Sequence, residues 1–406
     1  MLTYIYTARD TKTGNKIQAE VEAENEMSAA KLLTDRGLSP LDIKVKGEGD
    51  SLLASFRNRV SSKQKVIFTR QLSTLINAGL PLVQGLSTVQ GQIKNVALKN
   101  AVGRIIKDVE SGSTLADAMA RHPRIFSNVY ISLVAAGEAS GTLDTSLERL
   151  ANQQEKDAEI VAKVRGALIY PLIVVLVLVA VVTFMLTTVL PQVQVLYEGL
   201  PGAKLPLVTR ALLAVSSIVI HYWWVIVIVF AIIVFFSLRW ARTPAGERVL
   251  DELKMRIWPV APLFKKLYMA RFARTGGTLV ASGVPMIKML TTTAEAVGNV
   301  KVADSILKAT EQVKGGKALS ESIKGDPYFL DLVPDMIRIG EQSGQLEGMM
   351  GKVADYYEKE VDNQIKAIST IIEPVLMVVV GLMALVVVAA ILLPIYSLAG
   401  TNLLKR

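Results

Sequence analysis

The 406-residue chain has no cysteine and only two histidines, His122 and His221. The first absence excludes disulfides, thiolate metal sites and a cysteine nucleophile, and leaves the redox compartment open. The second excludes a histidine-rich metal centre. A G-x-x-x-x-G-K-[ST] phosphate loop is also missing, because Gly315-Gly316-Lys317-Ala318 lacks both the first glycine and the hydroxyl residue. The chain is therefore not expected to be an ATP-driven motor, and without H-E-x-x-H it is not expected to be a zinc protease of that type. The opening MLTYIYTARDTKTGNK has no basic region followed by an apolar one, so no signal peptide is expected.

Charge is lacking in three long stretches. Leu172–Leu190 and Val375–Leu393 are 19-residue runs without an ionisable side chain, and the 28 residues Ala211–Leu238 hold only His221. A bilayer core about 30 Å thick needs roughly 20 helical residues. Three such spans exclude an ordinary soluble enzyme. The overall hydrophobic content of 51% would not have done so, since soluble domains come close to it. A three-span transporter or channel subunit is the alternative reading. Transporters keep charged or interrupted helices near the midplane, where a centred charge costs about 2.5–3.5 kcal/mol on insertion scales. These spans carry none.

What is present is a duplication. FTRQLSTLINAGLPLVQGLST (68–88) aligns with FARTGGTLVASGVPMIKMLTT (272–292) at 8 of 21 positions, an offset of 204. Val109/Val313, Gly112/Gly316, Leu115/Leu319 and Pro123/Pro327 keep that register. After a one-residue deletion GEASGTL (137–143) faces GEQSGQL (340–346), with 5 of 7 identical. Pro171 and Pro374 open the first and third spans, and Leu190-Pro191 and Leu393-Pro394 close them. Each repeat is one helical domain plus one span, and the second span has no counterpart.

The chain thus divides into a β-β-α-β module over 1–46, a linker over 47–62, a helical bundle over 63–170 and a first span over 171–191. A loop over 192–210 leads to the second span over 211–238, the second bundle over 239–373, the third span over 374–394 and a tail over 395–406. In the linker, Leu52, Leu53, Phe56 and Val60 beside Arg57 and Arg59 fit a membrane-surface helix or a flexible connector. Within the first bundle, Ser61/Gln64 and Thr114/Asp117 have helix-capping spacing. Segments near 81–90, 95–111, 114–121, 127–136 and 142–165 read as helices. Two repeats in one orientation need an even number of crossings between them, so both bundles face one side. Ten Lys and Arg flank the spans on that side and four on the other, which puts the bundles and the N-terminus in the cytoplasm and the tail outside. The expected fold is a mainly α membrane protein with two homologous cytoplasmic bundles, three transmembrane helices and a small α+β module.

The GExSGxL pairs, the Gly-x-Pro after the first helix of each bundle and the domain–span–span–domain–span order together resemble the inner-membrane platform family of type IV pilus and type II secretion machines (PilC/GspF). The opening TYIYTARDTKTGNKIQAEVEAENEMSAAKLLTDRGLSPLDI also looks like that family's N-terminal segment. The resemblance implies a non-enzymatic assembly platform of the bacterial cytoplasmic membrane that uses no cofactor. It implies contact with a cytoplasmic assembly ATPase, with pilin or pseudopilin, with other inner-membrane machine components and with further copies of itself. Pilus, secretion and competence systems all use such a platform.

Several residues are candidate sites. Glu138 and Glu341 in the duplicated motif fit a partner contact. They fit equally a helix junction, in which Gly137, Gly141, Gly340 and Gly344 supply backbone freedom and Ser140 or Ser343 starts the next helix. Family members suggest a metal in the first domain, but no dense acidic cluster accompanies Glu138, the one metal candidate, and Ca²⁺ wants 6–8 oxygens. Gly79-Leu80-Pro81 and Gly283-Val284-Pro285 fit helix ends followed by proline-started helices. Arg70 and Arg274 fit either an acidic partner surface or an ion pair within the domain. Glu373, whose repeat partner is Tyr170, fits a receptor for a charge on an incoming pilin helix or an interfacial carboxylate held by a helix N-terminus. His221, followed by Tyr222, Trp223 and Trp224, fits an interface belt, a bundle polar group or a proton relay. The net charge of +9 is dispersed, so membrane lipids or an acidic partner account for it and no nucleic acid is expected.

Overall fold

The computed structural model describes residues 2–10, 16–23, 26–35, 37–45, 60–192, 195, 207–258 and 260–403. Residues 11–15 and nearly all of the 47–62 linker, with its candidate surface helix, lie outside the described residues. The N-terminal module runs β1 (Leu2–Asp10), β2 (Lys16–Ala23), α1 (Glu26–Asp35) and β3 (Leu38–Val45). The sheet order is β2-β1-β3 with both pairings antiparallel. Alternation aims Tyr6 and Ala8 of β1 and Val21 and Ala23 of β2 at Leu33 of α1, and these five form the module's core. Pro40 sits opposite Ala8, beside a register shift on the edge strand β3, where a missing N–H is tolerated.

The first repeat contains α2 (Ser62–Asn77), α3 (Leu82–Gln92), α4 (Val96–Glu110), α5 (Leu115–Ala120), α6 (Asn128–Ser140) and α7 (Leu143–Phe184). The starts are chemically marked. Ser61 and Gln64 exchange side-chain and backbone hydrogen bonds in a capping box, Asn95 accepts from Leu98 N–H, and Thr114 accepts from Asp117 N–H. After the middle span, α8 (Leu207–Ala241), comes α9 (Pro244–Arg256), started by Thr243 with Pro244 in its first turn. The second repeat then reads α10 (Ala261–Ala281), α11 (Met286–Ala296), α12 (Val300–Lys314), α13 (Leu319–Ile323), α14 (Leu332–Ser343) and α15 (Leu346–Leu403).

The soluble and membrane parts of each repeat are not separate elements. Pro171 lies inside α7 and Pro374 inside α15, so neither proline opens a helix. One continuous helix runs from the bundle into the span in each repeat. A proline in a helix interior removes one backbone bond. The ~10 residues on either side keep theirs, and in an apolar environment breaking more of them would cost further. The helix of the third span also runs into the tail, since α15 continues to Leu403. At the far end of the first span Met185–Val189 widens to a π-helical turn, and Ser216 of α8 donates its hydroxyl to the Leu186 carbonyl. The middle span is broken at Tyr222, whose φ −117° and ψ 18° leave the helical region next to His221.

A single core joins the two bundles, from Phe68, Leu72 and Tyr130 in one to Phe272, Leu290 and Ile337 in the other. Across the seam Gln153 donates to Thr275 Oγ1 at 2.9 Å, Lys163 meets Asp362 at 2.6 Å, and Asn128 bonds Glu295. Within each repeat, close approach of consecutive helices needs small residues. A Cβ on Gly340 would lie 2.9 Å from Leu346 Cα, and one on Gly137 would lie 2.7 Å from Ser146 Cβ.

Gly340→Ala must displace backbone, so it is expected to cost about 1–3 kcal/mol and lower the thermal midpoint of the purified protein. Gly348→Ala meets nothing within 4 Å and should leave the midpoint unchanged or raise it by the ~0.5–1 kcal/mol gained on replacing a helical glycine.

Candidate functional site

The candidate residues converge on two copies of one arrangement. In the first repeat α2 runs antiparallel to α7. Arg70 Nε donates to Glu155 Oε1 at 2.6 Å and Arg70 Nη2 to Glu155 Oε2 at 2.5 Å, with Nη2 also reaching Asn152 Oδ1 at 2.5 Å. In the second repeat Arg274 Nε donates to Glu358 Oε1 at 2.8 Å and Nη2 to Asp355 Oδ1 at 2.5 Å. Glu155/Glu358 and Asn152/Asp355 are separated by the same 203-residue offset as the GExSGxL pair. Both arginines are thus engaged within their domains. The sequence reading missed their acceptors, which the offset could have paired: an acid recurs at Glu155 and Glu358, each on the helix that enters the membrane.

The electrostatics follow from this geometry. The hydrogen bonds from Arg70 hold the Glu155 carboxyl below its usual value of 4.5. Burial alone would lower the Arg274 guanidinium, but its bonds to Glu358 and Asp355 outweigh that and hold it above its usual value. Between the repeats, burial holds Asp157 above its usual value against the opposing charge of Arg271.

The duplicated motif is a junction between two helices. The Glu138 carboxylate accepts Leu115 N–H at 2.5 Å and Ala116 N–H at 2.8 Å, the first two donors of α5. Glu341 accepts Leu319 N–H at 2.7 Å, Ser320 N–H at 3.3 Å and the Ser320 hydroxyl at 2.5 Å at the start of α13. Gly141 and Gly344, at φ +71° and +70°, end α6 and α14 in the left-handed region. Ser140 and Ser343 do not start the following helices. They are the last residues of α6 and α14, and each hydroxyl donates 2.7 Å to the carbonyl four residues back, Ala136 and Ile339.

Gly79 and Gly283 end α2 and α10 with positive φ, and Pro81 and Pro285 take the N-cap positions of α3 and α11. Glu373 is exposed and lies well inside α15, which begins at Leu346, so no helix N-terminus stabilises it. His221 Nδ1 lies 3.1 Å from the Ser217 carbonyl at the break in α8. Among the described residues no three His, Asp or Glu side chains converge as a metal site.

Comparison with known proteins matches this duplicated arrangement. Family models described as type II secretion system (T2SS), protein F, match residues 68–191 and 272–394, and the N-terminal domain of the same protein matches residues 1–44. The chain belongs to the type II secretion system protein F family. A type IV pilus assembly protein PilC from Thermus thermophilus is 37% identical over 406 residues, 99% of each chain. One from Myxococcus xanthus is 35% identical over 96% of this chain and 94% of its own. A type II secretion system protein F from Aeromonas hydrophila is 33% identical over 93% of this chain and 98% of its own. Each of the two matched stretches falls within one of the two bundle-plus-span units.

Two outcomes are expected. Because the folded Glu155 value is depressed, its contribution to stability is complete above the ordinary carboxylate value near 4.5 and is lost as pH falls through the folded value. Arg70→Met should therefore flatten the acid limb of a stability–pH curve measured by denaturation from pH 7 to 3. Glu341→Ala strips the start of α13, where Ala318 offers no side-chain cap, and is expected to cost about 1–3 kcal/mol. Glu138→Ala should cost less, since Thr114 still caps α5. Parallel melts of the two variants compare them.

Proposed function

We propose that this protein is the membrane platform of a type IV pilus or type II secretion machine, coupling a cytoplasmic ATPase to the insertion of pilin subunits into a filament. The observation that carries the proposal is the continuity of α7 and α15 from the bundles into the spans. A helix is stiff along its axis, so a load applied to a bundle moves the span attached to it. The Arg70–Glu155 and Arg274–Glu358 clamps fasten each bundle to that helix at one level. The relatives' names, pilus assembly protein PilC and secretion system protein F, support the platform role.

The three apolar windows are 6%, 0% and 0% buried within the chain, so their surfaces face lipid or other proteins. That leaves room for further copies of the chain and for an incoming pilin helix beside Glu373. In this proposal the bundles and N-terminus lie in the cytoplasm and the tail outside. The chain acts as a scaffold and not as an enzyme. Because it contains no cysteine, single-cysteine variants report alone. Ser140→Cys should resist an impermeant maleimide added to intact cells, and Ser397→Cys should react with it.

Insertion of Gly-Gly between Gly166 and Ala167 interrupts α7 at the membrane edge. The expected result is a protein that still inserts and co-purifies with its ATPase but assembles filaments only at background level, counted by electron microscopy. Normal filament numbers would overturn the coupling. Saturable solute uptake into liposomes holding the purified protein would favour the transporter reading instead.

A further inference from the structure

The first repeat carries a groove of about 1340 Å³ that the second repeat does not reproduce chemically. It lies between the start of α2, the outer face of α4 and the turn joining α5 to α6, and its lining includes Lys65, Asn100, Arg104, Arg121, His122 and Arg124 but no Asp or Glu. Among the described residues its one ion-paired carboxylate is Asp108, 2.9 Å from Arg121. Among the described residues no carboxylate forms an ion pair with Lys65, Arg104 or Arg124. The composition behind this is local: residues 51–107 hold nine Lys and Arg and not one Asp or Glu. Burial lowers the His122 imidazole, and the neighbouring Arg104 and Arg121 charges lower it further, against the opposing pull of Asp108. The groove is a site of positive potential before any ligand arrives.

The 204-residue offset allows a comparison within the molecule. Lys65, Arg104, Arg121, His122 and Arg124 correspond to Met269, Lys308, Gly325, Asp326 and Tyr328. Four fixed cations become one, and the imidazole becomes a carboxylate. Asp326 then accepts the Ser305 hydroxyl at 2.9 Å and the Tyr328 N–H at 2.9 Å, so that its charge is used internally. Folding the repeat therefore does not require the basic set. The packing residues shared by both copies, such as Pro123/Pro327 and Leu115/Leu319, persist without it.

Position bears on the source of a ligand. Thr69 meets Gln154, Arg70 meets Glu155 and Asn77 meets Glu148, so α2 and α7 are antiparallel and the Ser61–Lys65 end of α2 lies toward the membrane end of α7. Extrapolating that pairing puts the groove about 15–20 Å along the helix from Leu172, at ~1.5 Å per residue.

We propose that this groove binds a phosphate-bearing anion, with the forked donors of Arg104, Arg121 and Arg124 meeting its oxygens and Lys65 adding a point charge. The phosphate can reach it from an anionic phospholipid headgroup or from a soluble phosphate compound, both of which present the same tetrahedral oxygens.

The test uses the full-length protein in nanodiscs. In one arm the discs are neutral phosphatidylcholine and pyrophosphate is titrated by calorimetry. In the other, phosphatidylglycerol is added and the retained lipid is counted by native mass spectrometry. Binding in either arm should fall at least tenfold in Arg104→Gln/Arg124→Gln, two exposed positions, and be partly kept in the corresponding Lys double variant. Lys308→Gln, the repeat-two counterpart, should bind like the parent. The arm that responds identifies the source. Single Arg124→Gln, on the turn, serves if the double variant melts early. The proposal is overturned by no binding in both arms, by equal binding in parent and variant, by an equal loss in Lys308→Gln, or by binding of a poly-glutamate peptide in place of either phosphate probe.

Discussion

A guanidinium hydrogen-bonded to a carboxylate across two antiparallel helices is the contact on which the rest of each repeat hangs. Arg70 with Glu155, and Arg274 with Glu358, set the height at which the first helix of a bundle meets the helix that enters the membrane. The fixed fork of guanidinium donors meets these acceptors at one register, and a one-turn slip would break the hydrogen bonds. Beside these pairs Leu147 and Leu150 share one core with Phe68 and Leu72, and Glu138 reaches the start of α5.

Polar groups are placed sparingly, and mostly where the backbone would otherwise be left unpaired. The two motif glutamates end on helix-starting N–H groups, the motif serines fold back on their own helices, and Ser216 covers a carbonyl at the π-helical turn of the first span. The same requirement keeps α7 and α15 unbroken through Pro171 and Pro374, since a helix end at the membrane edge would expose four carbonyls or four N–H groups. Continuity of the helix and stiffness of the bundle–span connection thus have one physical origin.

The two repeats share their skeleton and differ in what they present. Gly137/Gly340, Gly141/Gly344, Pro81/Pro285 and the clamp residues serve the same local geometry in both. Tyr170 against Glu373 at the membrane edge, and His122 against Asp326 at the bundle end, are where the copies part. Duplication supplies two units with a common skeleton and different side chains at these surface positions.

The sequence alone determined the three apolar spans, the duplication and its offset, the β-β-α-β order of the N-terminal module and the helix starts of the first repeat. Those signals are local: missing charge, repeated residues, and caps one turn from the helices they begin. It could not decide the partners of Arg70 and Arg274, which lie about 85 residues along the chain. Nor could it decide which way Glu138 and Glu341 turn, or that Pro171 and Pro374 lie inside helices rather than at their starts. The basic groove was likewise hidden, because Lys65, Arg104 and Arg124 are scattered in the chain and meet only when α2, α4 and the α5–α6 turn pack. Such outcomes depend on which distant group reaches a charge or backbone donor first, and only tertiary packing settles that competition.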